Sequence, residues 1–275
     1  MYQRKKIGNK SKPLVSVVTV VWNAEDFLEC TIESVRQQTY DNIEFVVVDG
    51  GSSDGTLDIL QRFDDVIDYW VSEPDQGIYD AMNKGILACG GELIGIIGAG
   101  DWYAPDAIGH IVNTYKRTDA DVIYGNVELV DSETGVKCKR ESRADLMPKT
   151  MSSISHPSTF TKTHIYRERP FDVSFRIAAD YDLFLYLYSN GYHFEHSNAL
   201  VVHILSGGIS ASYTTIVEVY IVHEKNYGKI RALSSFLPSV IRHTFYKARR
   251  CLLKTILSQK YFAIARTHWL RCRLR

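Results

Sequence analysis

The sequence predicts an α/β fold in which a largely parallel sheet is flanked by helices. Dense runs of β-branched and other apolar residues occupy 15–21, 43–49 and 93–99, as expected of strands buried on both faces. Helical patterns lie between and after these runs, for example over 24–38 and 77–89. Because strands that alternate with helices form βαβ units, the order predicts parallel pairing.

The first two strand–helix units have clear local signals. The run VSVVTVV is followed by apolar residues at the spacings of one helix face: Phe27, Leu28, Ile32 and Val35. The run IEFVVVD ends in the turn-forming segment DGGSSDGT at 49–56. Its Ser and Asp side chains can cap the next predicted helix, TLDILQRF.

The later elements are less regular. A short strand is expected over 67–71, and 121–131 indicates a strand and a turn. Residues 132–150 are expected to form an exposed excursion. The segment 178–191 predicts a helix that ends at Gly191, a residue suited to a C-terminal cap.

Charge and hydropathy divide the chain into a core domain at 13–214 and a basic amphipathic helical tail at 215–275. No acidic residue follows Glu224, whereas an apolar stripe continues beside many Lys and Arg side chains, at Ile241, Phe245, Ala248, Leu252 and Ile256. A basic amphipathic helix indicates contact with a membrane surface, and a solvated charged face is the alternative.

Composition restricts the class of protein. The five cysteines form no CxxC pair, which argues against a disulfide framework or a structural zinc site. No run approaches the roughly 18 apolar residues of a spanning helix, and the apolar stretch 14–22 lacks a signal-peptide cleavage pattern. We therefore expect a cytoplasmic protein, peripheral on the inner face of the cell membrane. The acidic turns of the core argue against a nucleic-acid partner, and a homodimer stays open.

A candidate binding site lies where three predicted strands end. Polar, acidic or glycine-rich turns follow them, at 22–25, 49–55 and 98–101. Ligands of open α/β sheets bind outside the carboxyl ends of the strands. Three such turns on one edge predict a site for a phosphate-bearing ligand, although Ser53 and Asp54 taken alone are explained by helix capping.

Four segments in order carry a family resemblance: VSVVTVVWNAEDFLECTIESVRQQTY, IEFVVVDGGSSDGT, SEPDQGIYDAMNKGI and ELIGIIGAGDWY. Together they resemble the N-terminal half of the inverting family-two glycosyltransferases, which have the Rossmann-like GT-A fold. Within that family the chain is similar to bacterial exopolysaccharide and lipopolysaccharide sugar transferases of the colanic-acid type. The resemblance is dense from Pro13 to Tyr103 and returns at ISHPSTF and FRIAADYDLFLYL.

The resemblance implies an enzyme of cell-surface polysaccharide synthesis. It would move a sugar from a UDP- or GDP-linked donor to a glycan or polyprenyl-linked acceptor by a metal-assisted inverting displacement. The residues implied to bind the nucleotide sugar are Val21, Trp22, Glu25, Asp49, Gly51, Asp54, Asp75, Gly77, Asp80, Asn83, Lys84, Gly100 and His156.

The resemblance also implies a divalent metal, Mn²⁺ or Mg²⁺. Asp101 stands at the metal-contacting acid of the family's DXD-like motif, and His203 is a second candidate for metal or diphosphate. The alternative for Asp101 is an N-cap on a helix near Pro105. Many relatives carry a further acid beside the metal-contacting one, where this chain has Gly100. Many also carry an acid that contacts the nucleotide base where this chain has Gly50, so the choice between UDP and GDP stays open.

One helical segment has two interpretations. Asp80, Asn83 and Lys84 lie three and four residues apart, hence on one helix face. Lys84 can reach a phosphate and Asp80 a sugar hydroxyl, or the face is merely solvated.

An inverting transfer needs a carboxylate that removes the acceptor proton. The resemblance assigns this base to Asp180 in Ala179-Asp180-Tyr181-Asp182, with Asp182 in reserve. The alternative is that both carboxylates cap the helix that follows. The resemblance further implies that His156 lies near the acceptor, and Trp102 and Tyr103 can stack on a sugar or pack in the core.

Two other classes compete with a transferase. A dehydrogenase would have GxGxxG after its first strand, where this chain has VVWNAEDF, and a nucleotidyltransferase would have a glycine-rich first loop. A non-catalytic glycan-assembly subunit that keeps the fold is the remaining alternative, because acids common in the family are replaced at Gly100 and Ala179.

Overall fold

The computed structural model describes residues 11–206 and 212–234, together with 236, 238, 240, 241 and 244. The strands of this part of the chain are β1 Val15–Val21, β2 Ile43–Asp49, β3 Tyr69–Ser72, β4 Leu93–Gly98, β5 Trp102–Tyr103, β6 Val122–Val130, β7 Lys137–Arg140, β8 Thr159–Lys162 and β9 Phe194–Leu205. The helices are α1 Leu28–Arg36, α2 Thr56–Arg62, α3 Ile78–Ala88, α4 Ala107–Thr118, α5 Thr163–Glu168, α6 Ala179–Ser189 and α7 Tyr213–Tyr227.

The sheet confirms the predicted α/β class, and it divides into a parallel and an antiparallel part. Its order is β3-β2-β1-β4-β8-β6-β9-β5, with β7 paired to β6. Strands β3, β2, β1 and β4 pair in parallel, whereas β8 joins β4 and β6 antiparallel and β5 joins β9 antiparallel. Parallel pairing thus joins the first four strands to one another.

The first strands lie in the core, as their apolar runs predict. Every residue of β1 and β2 is buried. Helix α3 packs against them closely, because Gly85 has no side chain. A Cβ atom at Gly85 would lie 2.5 Å from a methyl carbon of Val18. This approach fixes the height of α3 over the sheet.

Two helix ends show how local contacts set the boundaries. Helix α1 begins at Leu28 rather than at the predicted residue 24, because residues 25–27 form a turn in which the Phe27 amide donates to the Ala24 carbonyl. Helix α6 ends as predicted at a left-handed glycine, Gly191, with φ of 79°. The amide of Tyr192 donates to the carbonyl of Leu187 and that of Gly191 to Tyr188, which is a Schellman motif.

The expectation of an exposed excursion over 132–150 is wrong for its second half. Ser142, Ala144 and Met147 are buried. The Ser142 hydroxyl donates to the carbonyl of Gly125, and the carbonyl of Met147 accepts from the Tyr181 hydroxyl. Such long-range contacts leave no periodic signal in the sequence.

The chain forms two compact units. The first contains the described residues up to Val127 and Glu141–Ile204, and the second contains Glu128–Arg140 with the described residues from Leu205 onward. Within the second unit, α7 is capped by Ser212, whose hydroxyl accepts from the amide of Thr215.

The predicted tail lies only partly within the described residues. Its stripe residues Phe245, Ala248, Leu252 and Ile256 lie outside them, and the boundary at 214/215 stays a prediction. None of the helices within the described residues combines the length and the hydropathy of a membrane span.

Candidate functional site

The carboxyl ends of β1, β2 and β4 meet at one edge of the sheet. In the parallel register Val21 lies beside Asp49, and Val20 beside Gly98. The Gly50 amide donates to the carbonyl of Val21. The three polar turns predicted to surround a ligand therefore start side by side, and we call this region the carboxyl edge.

The turns after β1 and β2 are bound to each other. The Glu25 carboxylate accepts from the Gly55 amide at 2.6 Å, and Asp54 accepts from the Glu25 amide at 3.2 Å. Asn23, which adopts φ of 47°, accepts from the Ser53 amide.

Asp54 also accepts from the amide of Thr56 at the start of α2. Hydrogen bonding with Thr56 lowers the pKa of Asp54. Asp54 therefore both accepts from the first amide of α2, whose N-cap is Gly55, and joins the two turns.

Asp49 organises the turn after β2 from inside. Its side chain is fully buried. One carboxylate oxygen accepts from the amides of Gly51 and Ser52 and from the hydroxyl of Ser72, and the other accepts from the Ser52 hydroxyl. Both oxygens are thus engaged by the protein, and the backbone of the turn is held in place.

Position 50 has no room for a side chain because Asp75 covers it. A Cβ atom at Gly50 would lie 2.4 Å from Oδ2 of Asp75 and 3.6 Å from Cβ of Trp22. The other oxygen of Asp75 accepts from the amide of Gly77, which has φ of 124°. The indole of Trp22 is 67% exposed beside them. An aromatic face and a carboxylate therefore adjoin at the carboxyl edge. Gly51, with φ of 81°, adjoins the backbone of Pro74.

The polar face of α3 holds the loop that precedes it. Asp80 accepts from the amide of Gln76 at 3.0 Å. The ammonium of Lys84 lies 2.9 Å from the Glu73 carboxylate and 3.4 Å from that of Asp80. Hydrogen bonding to Glu73 raises the pKa of Lys84. Neither interpretation of this face anticipated that it supports loop 73–77.

Asn83 lies on the same helix and clamps a different segment. Its side-chain amide exchanges two hydrogen bonds with the backbone of Phe171, at 2.9 and 3.0 Å. The side chain thus ties α3 to the chain that leads into α6.

Asp101 lies in the turn after β4. The Thr31 hydroxyl donates to the Asp101 carbonyl at 2.7 Å and accepts from the Gly100 amide at 3.0 Å. Helix α4 has Asp106 at its N-cap, so the alternative that Asp101 caps a helix near Pro105 is wrong. Gly100 has φ of 98°, a conformation that an L-residue rarely adopts, which explains the missing acid at this position.

His203 approaches this turn from β9. It pairs with Trp102 in the antiparallel register, and their rings stack with centroids 5.1 Å apart. Tyr103 is buried and packs on Phe160, so its ring belongs to the core.

The donor set near Asp101 is small. Among the described residues there is no group of three or more His, Cys, Asp or Glu side chains that could hold a metal ion. A single carboxylate fits a site in which phosphate oxygens and water complete the coordination, as is usual for Mg²⁺.

Asp180 reaches the carboxyl edge from the first turn of α6. Its Oδ1 atom accepts from the Tyr79 hydroxyl and from the Tyr181 amide, both at 2.9 Å. Its Oδ2 atom lies 3.9 Å from Nδ1 of His156, and the side chain is 18% exposed. Because α3 begins just beyond the carboxyl end of β3, the contact with Tyr79 brings Asp180 to the same edge as the acidic turns.

Tyr79 was not among the predicted site residues. It belongs to the quoted segment of α3, but nothing in the sequence indicates a partner 101 residues away.

Asp182 lies in a different environment. It is buried in α6, and one oxygen lies 3.8 Å from the guanidinium of Arg169. Residues two apart on a helix do not share a face. The structure therefore brings Asp180, and not Asp182, to Tyr79 and His156. Neither side chain forms an N-cap hydrogen bond, since the N-cap residue is Ala178.

His156 is buried against aromatic rings. Its ring meets those of Phe171 and Phe184 edge to face, at 5.4 and 5.6 Å. Burial lowers the pKa of His156, an effect that the Asp180 charge opposes. The neutral imidazole is therefore favoured beside Oδ2 of Asp180.

Comparison with known proteins identifies the family. The model of glycosyl transferase family 2 matches residues 16–179. An uncharacterized glycosyltransferase of Rickettsia typhi is 32% identical over 202 residues, which cover 68% of this chain and 63% of the relative. An uncharacterized glycosyltransferase of Mycobacterium tuberculosis is 42% identical over 104 residues, which cover 37% of this chain and 40% of the relative.

Solved structures support the same fold. S. aureus TarS in complex with UDP-GlcNAc superposes with a TM-score of 0.64 at 16% identity, covering 90% of this chain and 77% of that one. The mannosyltransferase PcManGT from Pyrobaculum calidifontis, in complex with GDP-Man and Mn²⁺, has a TM-score of 0.59 at 17% identity, covering 96% and 82%. The fold is that of GT-A glycosyltransferases, and the chain belongs to glycosyl transferase family 2.

Proposed function

We propose that this chain transfers a sugar from a nucleotide-diphosphate donor to a glycan or lipid-linked acceptor, with inversion at the anomeric carbon. The observation that carries the proposal is the hydrogen bond between Tyr79 and Asp180. It brings a partly exposed carboxylate to the edge at which the acidic turns of the parallel strands meet.

The proposed donor site uses the turns of the carboxyl edge. The exposed indole of Trp22 is suited to stack on a nucleobase, and the Asp75 carboxylate beside it is suited to accept from base or ribose. The joined turns at 22–25 and 50–55 would keep this wall rigid. Structural neighbours bind UDP-GlcNAc and GDP-Man, so both nucleotides remain candidates.

A divalent metal, Mn²⁺ or Mg²⁺, is part of the proposal. Asp101 would hold it, with His203 close by on the adjacent strand. A metal bound there would offset the negative charge of the leaving nucleoside diphosphate. The structural neighbour PcManGT was solved with GDP-Man and Mn²⁺, which supports a divalent metal in the proposal.

Asp180 is the proposed base. Oδ2 takes the proton of the acceptor hydroxyl while the acceptor oxygen forms a bond to the anomeric carbon. The bond from that carbon to the diphosphate oxygen breaks, and the nucleoside diphosphate leaves with the electron pair. Attack opposite the leaving group inverts the configuration. His156 is buried beside Oδ2 in its neutral form. Because burial disfavours the charged imidazole, the proton stays on Asp180.

The acceptor and the location rest on the predicted tail. A polyprenyl-linked acceptor and a peripheral position on the inner face of the membrane agree with a basic amphipathic helix. The stripe that carries this prediction lies outside the described residues, and a homodimer likewise stays open.

Calorimetric titration tests the proposal. UDP and GDP are each added, with and without Mn²⁺, to the wild type, to Asp101→Ala and to Asp65→Ala. Asp65 is an exposed acid at the opposite edge of the sheet, before β3. We expect metal-dependent binding of one nucleotide that is lost in Asp101→Ala and kept in Asp65→Ala. Absence of binding by either nucleotide to the wild type would contradict the proposal.

A further inference from the structure

We propose that Tyr79 is a positioning residue that presents one chosen oxygen of Asp180 to the acceptor. The inference rests on the proposed function, because it concerns the carboxylate that we assign as the base. It extends that assignment to the atom: Oδ1 is held by the protein, and Oδ2 is left for the proton.

The two oxygens of Asp180 have different surroundings. Oδ1 accepts two hydrogen bonds, from the Tyr79 hydroxyl and from the Tyr181 amide. Oδ2 lies 3.9 Å from the nearest imidazole nitrogen of His156, beyond hydrogen-bond distance. A carboxylate with one oxygen bound twice cannot rotate without breaking both bonds, so the orientation of Oδ2 is fixed.

Tyr79 is itself rigidly placed. Its side chain is 4% exposed, and its ring lies 5.4 Å from that of Phe171. Asn83, one turn further along α3, binds the backbone of the same Phe171 through two hydrogen bonds. Gly85 seats the helix on β1. The phenol therefore has no alternative position that keeps these contacts.

The Tyr79 hydroxyl can only donate toward Asp180. Burial, together with the charge of Asp180, raises the pKa of Tyr79 well above its ordinary value, so the phenol keeps its proton. A hydrogen bond donated to a carboxylate stabilises its ionised form. Tyr79 thus keeps Asp180 ready to accept a proton and sets which oxygen accepts it.

Tyr79 also lies between the loop of the proposed donor pocket and the proposed base. Gly77, two residues earlier, donates to the Asp75 carboxylate of the proposed donor pocket. Asp80, the next residue, holds the amide of Gln76 in the same loop. The first turn of α3 therefore connects the donor loop to the base.

The test compares Tyr79→Phe with Tyr181→Phe in the full chain. Tyr181 is equally buried and adjoins Asp180, but its hydroxyl donates to the Met147 carbonyl at 2.8 Å. The assay is hydrolysis of UDP-GlcNAc or GDP-Man, whichever nucleotide binds, with water as acceptor. The pH dependence of kcat is measured beside KM, and urea unfolding shows that each variant folds.

For Tyr79→Phe we expect kcat to fall about tenfold, since Oδ2 of Asp180 is no longer held in one orientation, with KM for the donor unchanged. The acid limb of the kcat profile should move about one unit to higher pH. Tyr181→Phe should lose about as much unfolding free energy as Tyr79→Phe. The acid limb of its kcat profile should stay at the wild-type pH.

Three outcomes separate this inference from the proposed function. Wild-type kcat and pH profile in Tyr79→Phe, with Asp180→Asn inactive, would overturn the role of Tyr79 and leave the base assignment intact. Equal shifts of the acid limb in both Tyr variants would overturn it too, because general loosening would then be the cause. Full turnover in Asp180→Asn would instead contradict the proposed function.

Discussion

Asp49 and Asp180 both lie at the carboxyl edge of the sheet, yet their environments differ in the way expected of a structural carboxylate and of the proposed base. Asp49 is fully buried, and both of its oxygens accept hydrogen bonds from the turn that it organises. Asp180 is 18% exposed, and only its Oδ1 is bound twice. A carboxylate that the protein saturates shapes a site, whereas one with a remaining oxygen can exchange a proton.

The largest effect is expected from Asp180→Asn. An amide of the same shape cannot accept the acceptor proton, so turnover should fall by roughly 10² to 10⁴. Nucleotide binding and stability should change little, because Oδ1 of the amide still accepts from Tyr79. Initial rates of donor hydrolysis, together with calorimetric binding of the same nucleotide, measure both. Loss of binding along with turnover would contradict a role restricted to proton transfer.

Asp49→Asn should show the opposite pattern. An amide nitrogen in place of one oxygen faces buried donors and leaves them without an acceptor, which should cost about 3 kcal/mol of unfolding free energy. Urea unfolding monitored by circular dichroism measures the loss, with Asp180→Asn as the matched control. If Asp180→Asn were the more destabilised of the two, the distinction between the structural carboxylate and the proposed base would fail.

The sequence predicted the strands and turns of the carboxyl edge, but not the difference between Asp49 and Asp180. The bounds of β1 and β2 follow from unbroken apolar runs, and the end of α6 follows from Gly191. The register of parallel strands then places Asp49 and Asp101 at one edge. The saturation of Asp49 depends on the hydroxyls of Ser52, in the turn after β2, and of Ser72, at the end of β3, and nothing in the sequence indicates either contact.

Contacts over long sequence separations account for the rest. Tyr79 meets Asp180 across 101 residues, and Asn83 binds the backbone of Phe171 across 88. The periodicity of α3 shows which of its faces is polar, but not what that face contacts. The antiparallel insertion of β8 between β4 and β6 was missed for the same reason, because pairing partners leave no local pattern.

Gly100→Ala tests whether the turn that carries Asp101 needs its glycine. At φ of 98° a side chain strains the backbone, and we expect a loss of about 1–2 kcal/mol in unfolding free energy. Gly98→Ala is the matched control, since a Cβ atom there meets nothing within 4 Å. Equal stability of the two variants would show that the turn does not require its left-handed glycine.

The smallest effect is expected from Trp22→Ala. Loss of a stacking face should weaken nucleotide binding by about 1 kcal/mol, a factor of about five, with stability unchanged. Leu87→Ala is the control, because that side chain is 75% exposed at the far end of α3. Calorimetry that finds equal affinities for both variants would remove Trp22 from the donor site.

The central claim, that the carboxyl edge is the donor site, is tested most directly by hydrogen exchange. Backbone exchange is followed by mass spectrometry with and without saturating UDP or GDP and Mn²⁺. We predict slower exchange in 22–25, 73–77 and 98–102, and no change in 64–68 and 90–92 at the opposite edge. Protection confined to the opposite edge, or none with either nucleotide, would contradict the account.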